Sequence, residues 1–169
     1  EAGQVVLNAG IFPDDPGGSR AGIFLAHDNG ITTVALENQV VPNGDGTLNG
    51  IAVTTPAIGN GGHVAFWSQL RNTIAGSIDN TAIFSFHGSS LTEIARRSAL
   101  LPDGNGRYLN LFTLVDVNRA GEVLFQSTIS GASGGSDEGI FIGNGSSARI
   151  VNRVGDAAPS GGILGDFLE

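Results

Sequence analysis

Along this chain apolar residues fall in runs of five to ten positions, each closed by a cluster of glycine, asparagine, aspartate or serine. Such runs, rich in Val, Ile, Leu, Phe and Thr, are the pattern of short β-strands separated by turns. The first set is Gln4–Gly10, Gly22–His27, Ile31–Glu37 and Leu48–Thr55. The second is His63–Leu70, Thr81–His87, Leu91–Arg97 and Tyr108–Val117. The third is Glu122–Ile129, Gly139–Gly143, Ala148–Val154 and Ile163–Leu168. Between the second and third runs of each set stand Asp28-Asn29-Gly30, His87-Gly88-Ser89 and Asn144-Gly145-Ser146. These read as hairpin turns, because the positive φ of type I′ turns favours Asn and Gly. Only Leu91–Leu101 has a helical length, and its counterparts are Val/Thr-rich or short. The pattern predicts an all-β chain.

The sets are copies of one another. Ala2-Gly3-Gln4-Val5-Val6-Leu7 returns as Gly61-Gly62-His63-Val64-Ala65-Phe66 and as Ala120-Gly121-Glu122-Val123-Leu124-Phe125, spaced 59 and 59. Gly22-Ile23-Phe24 returns as Ala82-Ile83-Phe84 and Gly139-Ile140-Phe141, spaced 60 and 57. The proline of Val41-Pro42-Asn43-Gly44 returns in Leu101-Pro102-Asp103-Gly104 and Ala158-Pro159-Ser160-Gly161, at the same 60 and 57. Three markers in one order define three units, residues 1–59, 60–118 and 119–169, within a single repeat domain covering 1–169.

Four antiparallel strands in a repeat of this length are the sequence signature of a β-propeller blade. The expected fold is therefore a propeller-like array of three four-stranded units of about 59 residues. Adjacent apolar residues in Ile23-Phe24, Ile83-Phe84 and Ile140-Phe141 predict a second strand buried on both faces. Leu7, Phe66 and Phe125 are the matching core positions on the first strand. Propellers close with about four to eight blades, so three units imply a ring completed by a second chain, further blades elsewhere, or open head-to-tail stacking.

A resemblance is clearest in two stretches. Asn118-Arg119-Ala120-Gly121-Glu122-Val123-Leu124-Phe125 and Val151-Asn152-Arg153-Val154-Gly155-Asp156-Ala157-Ala158-Pro159 resemble the roughly 60-residue tandem repeats of exported bacterial surface proteins, often found with a C-terminal sorting tag. The resemblance covers the whole chain and implies export and a propeller-like fold; its motifs are structural, and it leaves function open. Units one and two depart from it at Gly155-Asp156, having Asn38-Gln39 and Ser98-Ala99.

Composition narrows the functional classes. Eight basic residues, all arginine, stand against 16 acidic ones, for a net charge of −8. A duplex nucleic acid partner needs a basic face, which this chain lacks. Without cysteine there is no disulfide scaffold, redox pair or cysteine-ligated zinc. No apolar run approaches the roughly 20 residues of a membrane span. The chain begins at Glu1, as a processed product or part of a longer chain would.

Candidate chemistry is sparse. His27 and His87 occupy one hairpin position in successive units, where metal ligands on a common rim would stand; the third unit has Asn144 there, and His63 completes the histidines. Asn43-Gly44-Asp45-Gly46 and Asp103-Gly104-Asn105-Gly106 have the alternating oxygens of calcium loops but lack the bidentate acid that should come after them. Asp14-Asp15 reads as a solvated pair. Glu37, Glu93, Asp116, Glu122 and Glu138 are the acids available for glycoside chemistry, and spacing pairs no two of them. Arg96, Arg97 and Trp67 would suit a carbohydrate or an anion, with Arg96 and Arg97 facing opposite ways. Asn144-Gly145-Ser146 is a formal glycosylation sequon. No residue is thereby assigned a catalytic, cofactor-binding or metal role. The resulting expectation is a non-enzymatic extracellular structural or binding module. It would present loops to a cell-surface or polysaccharide ligand, or associate with itself through end blades into a ring or fibre. A polysaccharide-acting hydrolase or lyase and a calcium-dependent adhesive module are the alternatives.

Overall fold

The computed structural model describes residues 3–12, 20–51, 55–135 and 137–167; Asp14-Asp15 lies outside them. Its strands are β1 (Val5–Ile11), β2 (Arg20–His27), β3 (Gly30–Leu36), β4 (Thr47–Asn49), β5 (Ala57–Ile58) and β6 (Val64–Arg71). They continue as β7 (Thr81–His87), β8 (Ser90–Arg96), β9 (Arg107–Val117), β10 (Val123–Ser130), β11 (Glu138–Gly143) and β12 (Ala148–Arg153). The chain is all-β. Among the described residues helical geometry is limited to 3₁₀ turns, at Ile51 and at Gly76–Ile78, and no helix is long and apolar enough to cross a membrane.

Ten of the twelve expected runs match these strands to within two residues at each end. The run Leu48–Thr55 keeps only Thr47–Asn49 as strand among the described residues, with residues 52–54 outside the description. The run Ile163–Leu168 forms no strand among its described residues; Ile163 makes one isolated bridge, to Ala157. The turns are not type I′ either. Neither Asp28 nor Asn29 takes a positive φ, and in the second hairpin Gly88 alone does, at 64°.

Among the described residues the strands form three antiparallel sheets, ordered β1-β2-β3, β4-β6-β7-β8 with β5 also on β6, and β9-β10-β11-β12, and these sheets do not close into a ring or barrel. Sheet boundaries are offset from sequence units. The second and third sheets each take their edge strand from the preceding unit, β4 with β5 in one case and β9 in the other. The first sheet consequently has three strands, not the four expected.

Two cores lie between the sheets, and nine of their buried positions correspond. Ile23, Val34, Ala35, Val41 and Leu48 pack against Val64, Phe66, Leu70 and Phe84. Ile83, Ile94, Ala95, Leu101 and Tyr108 pack against Val123, Phe125, Ile129 and Phe141. Every residue of the second group stands 57 to 60 positions after its counterpart in the first. The stacked pair Phe66–Phe84 has ring centroids 5.6 Å apart, and Phe125–Phe141 repeats it at 5.5 Å. The second strand is buried on both faces in the second unit alone, where Phe84 joins the first core and Ile83 the second; in the first and third units Phe24 and Ile140 are only half-buried, because each faces away from a neighbouring sheet.

A β-bulge recurs in each unit opposite the Ile-Phe pair. A bulge adds one residue to one strand of a pair. It lets Val34 with Ala35, and Ile94 with Ala95, enter the same core although they are sequence neighbours. Two residues after the third strand the chain turns through the left-handed region at Asn38 (φ 66°), Ser98 (φ 70°) and Gly155 (φ 90°). This explains the Gly-Asp motif of the third unit. Glycine is unstrained there, and Asp156 Oδ2 accepts from the Arg153 amide at 2.6 Å. Gln39 Oε1 does the same for Leu36 at 3.0 Å; Ala99 has no side-chain oxygen with which to do it.

Candidate functional site

The densest polar cluster of the described residues is built on Arg96, the last residue of β8. Its Nε and Nη2 bind both oxygens of Glu93, at 3.0 and 2.7 Å. Nη1 reaches the Asp45 carbonyl at 3.0 Å and the Asp45 carboxylate at 3.3 Å, and Nη2 reaches Asn43 Oδ1 at 3.3 Å. Asp79 stands 3.7 Å away. The planar guanidinium presents five donors in a fixed fork, so one side chain fastens the Pro42 loop of the first unit to the third strand of the second. Burial lowers the Arg96 pKa, while the hydrogen bond and charge of Glu93, with Asp45 and Asp79, raise it to a net upward shift. Asp45 Oδ1 also accepts from the Ile74 amide at 2.7 Å, which ties in the Thr73–Asp79 segment.

The same clasp recurs one unit on. Arg153 ends β12, and its Nη2 binds Asp103 Oδ2 at 2.7 Å and the Asn105 carbonyl at 3.2 Å, with Nη1 on that carbonyl at 3.2 Å. At both junctions an arginine of the later unit holds the proline loop of the earlier one. These are the two calcium-like loops of the sequence. A guanidinium stands against the oxygens that a cation would need, and each loop also spends its first Asx side chain on its own backbone, Asn43 on the Asp45 amide and Asp103 on the Asn105 amide, both at 3.0 Å.

Of the expected glycoside acids, Asp116 and Glu122 line one pocket of about 210 Å³ beside Asn118 and Leu124, and Glu37, Glu93 and Glu138 are not among its lining residues. Glu37 accepts from the Ala21 amide, Asp116 from the Val117 amide, Glu122 from Asn118, and Glu138 from Gln126 and the Phe167 amide. Glu93 does converge with Asp45 and Asp79, but Arg96 occupies the space where a glycosidic bond would have to lie. Arg97 turns away from Arg96 and binds the Ser77 carbonyl and Asn80, both at 3.2 Å. Trp67 packs on the second core, opposite Phe66. Asn144 lies in an exposed turn and accepts from the Ser146 and Ser147 amides.

The structure does bring His27 and His87 to one place. They line a groove of about 570 Å³ between the first two sheets, with Gln4, Asp28, Asn29 and Thr32 at its rim and Leu25 and Phe86 in its wall. His27 Nε2 hydrogen-bonds Thr32 Oγ1 at 3.0 Å. His87 stacks on His63 at 3.9 Å, nearly parallel. Burial, then the neighbouring His87, lowers the His63 pKa. Among the described residues no three His, Asp or Glu side chains gather as metal ligands would. The groove exists because the two junctions differ. A Cβ at Gly145 would come within 2.3 Å of Thr92, so that hairpin lies tight against the second sheet; Gly88, its counterpart, has nothing within 4 Å.

The model of a family of unknown function, DUF7453, matches residues 1–169. The chain belongs to that family. DUF7453 thus spans all three repeat units and both arginine clasps. No curated protein and no solved structure matches the chain.

Proposed function

We propose that this DUF7453 chain is a non-enzymatic extracellular repeat module of propeller type, which builds or binds through its sheets and loops. The observation that carries this reading is the doubled junction. Two equivalent cores and two equivalent clasps use the faces, charges and loops of the chain to join one sheet to the next. The winding supports blades: the chain leaves each sheet at its last strand and enters the next at the opposite edge, as in propellers. Export accords with the resemblance to repeats of bacterial surface proteins. The groove, with imidazole, amide, carboxylate and hydroxyl groups over an apolar wall, suits a hydroxyl-rich ligand such as a surface polysaccharide.

Stacking continued beyond one chain is the testable core of this reading. Light scattering on a size-exclusion column measures absolute mass. A dimer or larger species supports assembly through end sheets, and a single-chain mass at every concentration refutes it.

A further inference from the structure

Among the described residues the first sheet lacks a strand, and a segment of that kind joins no sheet. In the second and third sheets the first strand of the unit is flanked on both sides: β6 by β7 and by β4 with β5, and β10 by β11 and β9. Among the described residues β1 pairs with β2 alone. The strands that flank β6 and β10 each come after a proline loop whose neck is a bridge, Val40↔Thr47 and Leu100↔Arg107. The third proline loop has the same neck, Ala157↔Ile163. The segment leaving that neck, Ile163–Phe167, is the counterpart of β4 and of the start of β9, yet among the described residues it joins no sheet.

We propose that Ile163–Phe167 of one copy adds to the free edge of β1 in a second copy, completing its first sheet and joining the copies head to tail. Internal registers set the alignment. Leu48 faces Leu70 and Tyr108 faces Ile129, so Leu164 faces Ile11 and Ile163 faces Phe12. Ile163 and Phe12 are 74% and 83% exposed in the single chain, and this pairing covers both. The sheet faces agree with the strand edges. Val5 is 58% exposed, whereas its counterparts Val64 and Val123, 59 and 118 positions on, are fully buried by the preceding sheet. Phe24, Leu7 and Ile31 lie on that same open face. On the far side Leu124, Ile140 and Val151 are the uncovered counterparts of Ala65, Ile83 and Ile94, which the next sheet buries.

The clasp identifies the partner as a second copy. The first unit has Leu36 where Arg96 and Arg153 stand, and the third proline loop has Ser160 and Gly162 where the others have Asn43 with Asp45 and Asp103 with Asn105. A preceding unit with an acidic loop would find no arginine at Leu36. A succeeding unit with an arginine would find no acid at Ser160. The first unit and the third proline loop suit each other in this respect, because neither brings a charge that the other would leave buried without a partner.

The inference rests on the self-assembling limb of the proposed function, and thiol cross-linking separates the two. The chain has no cysteine, so introduced thiols are unique, and both Phe12 and Ile163 lie outside the cores. Copies carrying Phe12→Cys are mixed with copies carrying Ile163→Cys under mild oxidation, with Ile74→Cys replacing Phe12→Cys as control. The expected result is a covalent dimer in the first mixture, at least tenfold above the control, with neither single variant linking to itself to that extent. Linkage of either variant to itself, or no excess over the control, overturns the head-to-tail pairing. If wild-type mass still shows assembly in that case, the broader function stands. Single-chain mass for the wild type at every concentration overturns both. Removal of residues 163–169 provides a second measurement: the shortened chain is expected to be monomeric with an unchanged β-sheet circular dichroism spectrum, and assembly at the wild-type level refutes the pairing.

Discussion

Arg153 and Asp103, 50 positions apart in sequence, lie 2.7 Å from each other across the junction of the second and third sheets. At the first junction Arg96 meets three carboxylates within 3.7 Å. The two clasps share a plan but differ in what their loss leaves behind. Arg96→Met strands Glu93, Asp45 and Asp79 together in a largely buried site and is expected to cost about 3 kcal/mol or more. Arg153→Met frees one carboxylate that is 43% exposed and, discounted for solvent, costs about 1 kcal/mol. Urea melts of the two variants check the ranking, and equal losses refute the account of the first clasp.

The left-handed turn offers a stabilising change. Serine at φ 70° carries a strain of about 1–2 kcal/mol that glycine does not, partly offset by the greater flexibility of glycine when unfolded. Ser98→Gly should gain roughly 0.5–1 kcal/mol. Asn38→Gly should gain less, because asparagine tolerates this region. Thermal melting of both variants measures the difference.

Three equivalent phenylalanines probe the end face. Phe84→Ala and Phe141→Ala each empty a fully buried site and should cost about 3–5 kcal/mol. Phe24→Ala should cost clearly less in the dilute single chain, because the Phe24 ring faces no preceding sheet. At concentrations where the chain assembles, its effect should grow towards that of the other two. Denaturant melts of the three variants at low and high protein concentration make the comparison.

The histidine stack makes stability depend on pH. Burial and His87 lower the His63 pKa below its ordinary 6.5, so the unfolded chain binds its proton first. The contribution is present above pH 6.5 and is lost as pH falls through the window between 6.5 and the lowered native value. His63→Gln should flatten this part of the stability profile. A Tm series from about pH 7.5 to about pH 5 on both proteins tests it.

Calcium should do little. Arginine already sits against the loop oxygens at Asn43, Asp45 and Asp103, so Tm should be the same in calcium and in chelator. A chelator-dependent fall would restore the adhesive-module reading.

Strand positions were legible because alternation and glycine-bounded turns are local signals. The paired Ile-Phe residues announced burial on both faces, and Ile83 and Phe84 do enter different cores. The clasps were not legible. Arg96 stood out only as half of an Arg-Arg doublet, and its partners in the preceding unit lie 51 and 53 positions away. The one trace in the sequence was the column Leu36, Arg96, Arg153 set beside Asn43, Asp103, Ser160, where the two series change at opposite ends. Leu7 shows a further limit. It occupies the position of Phe66 and Phe125 and was expected in the core, yet it lies on a face that no preceding sheet covers.

The passage from β8 to β9, residues 97–106, is pinned at nearly every step. The Ser98 amide donates to the Tyr108 carbonyl and the Tyr108 amide to the Ala99 carbonyl across its neck, and Arg153 grips its tip. Consecutive sheets are therefore joined without a linker that could swing. If copies stack as proposed, the array is expected to be a stiff spacer instead of beads on a string. It would transmit tension along its length and hold whatever is attached at either end at a set distance and angle.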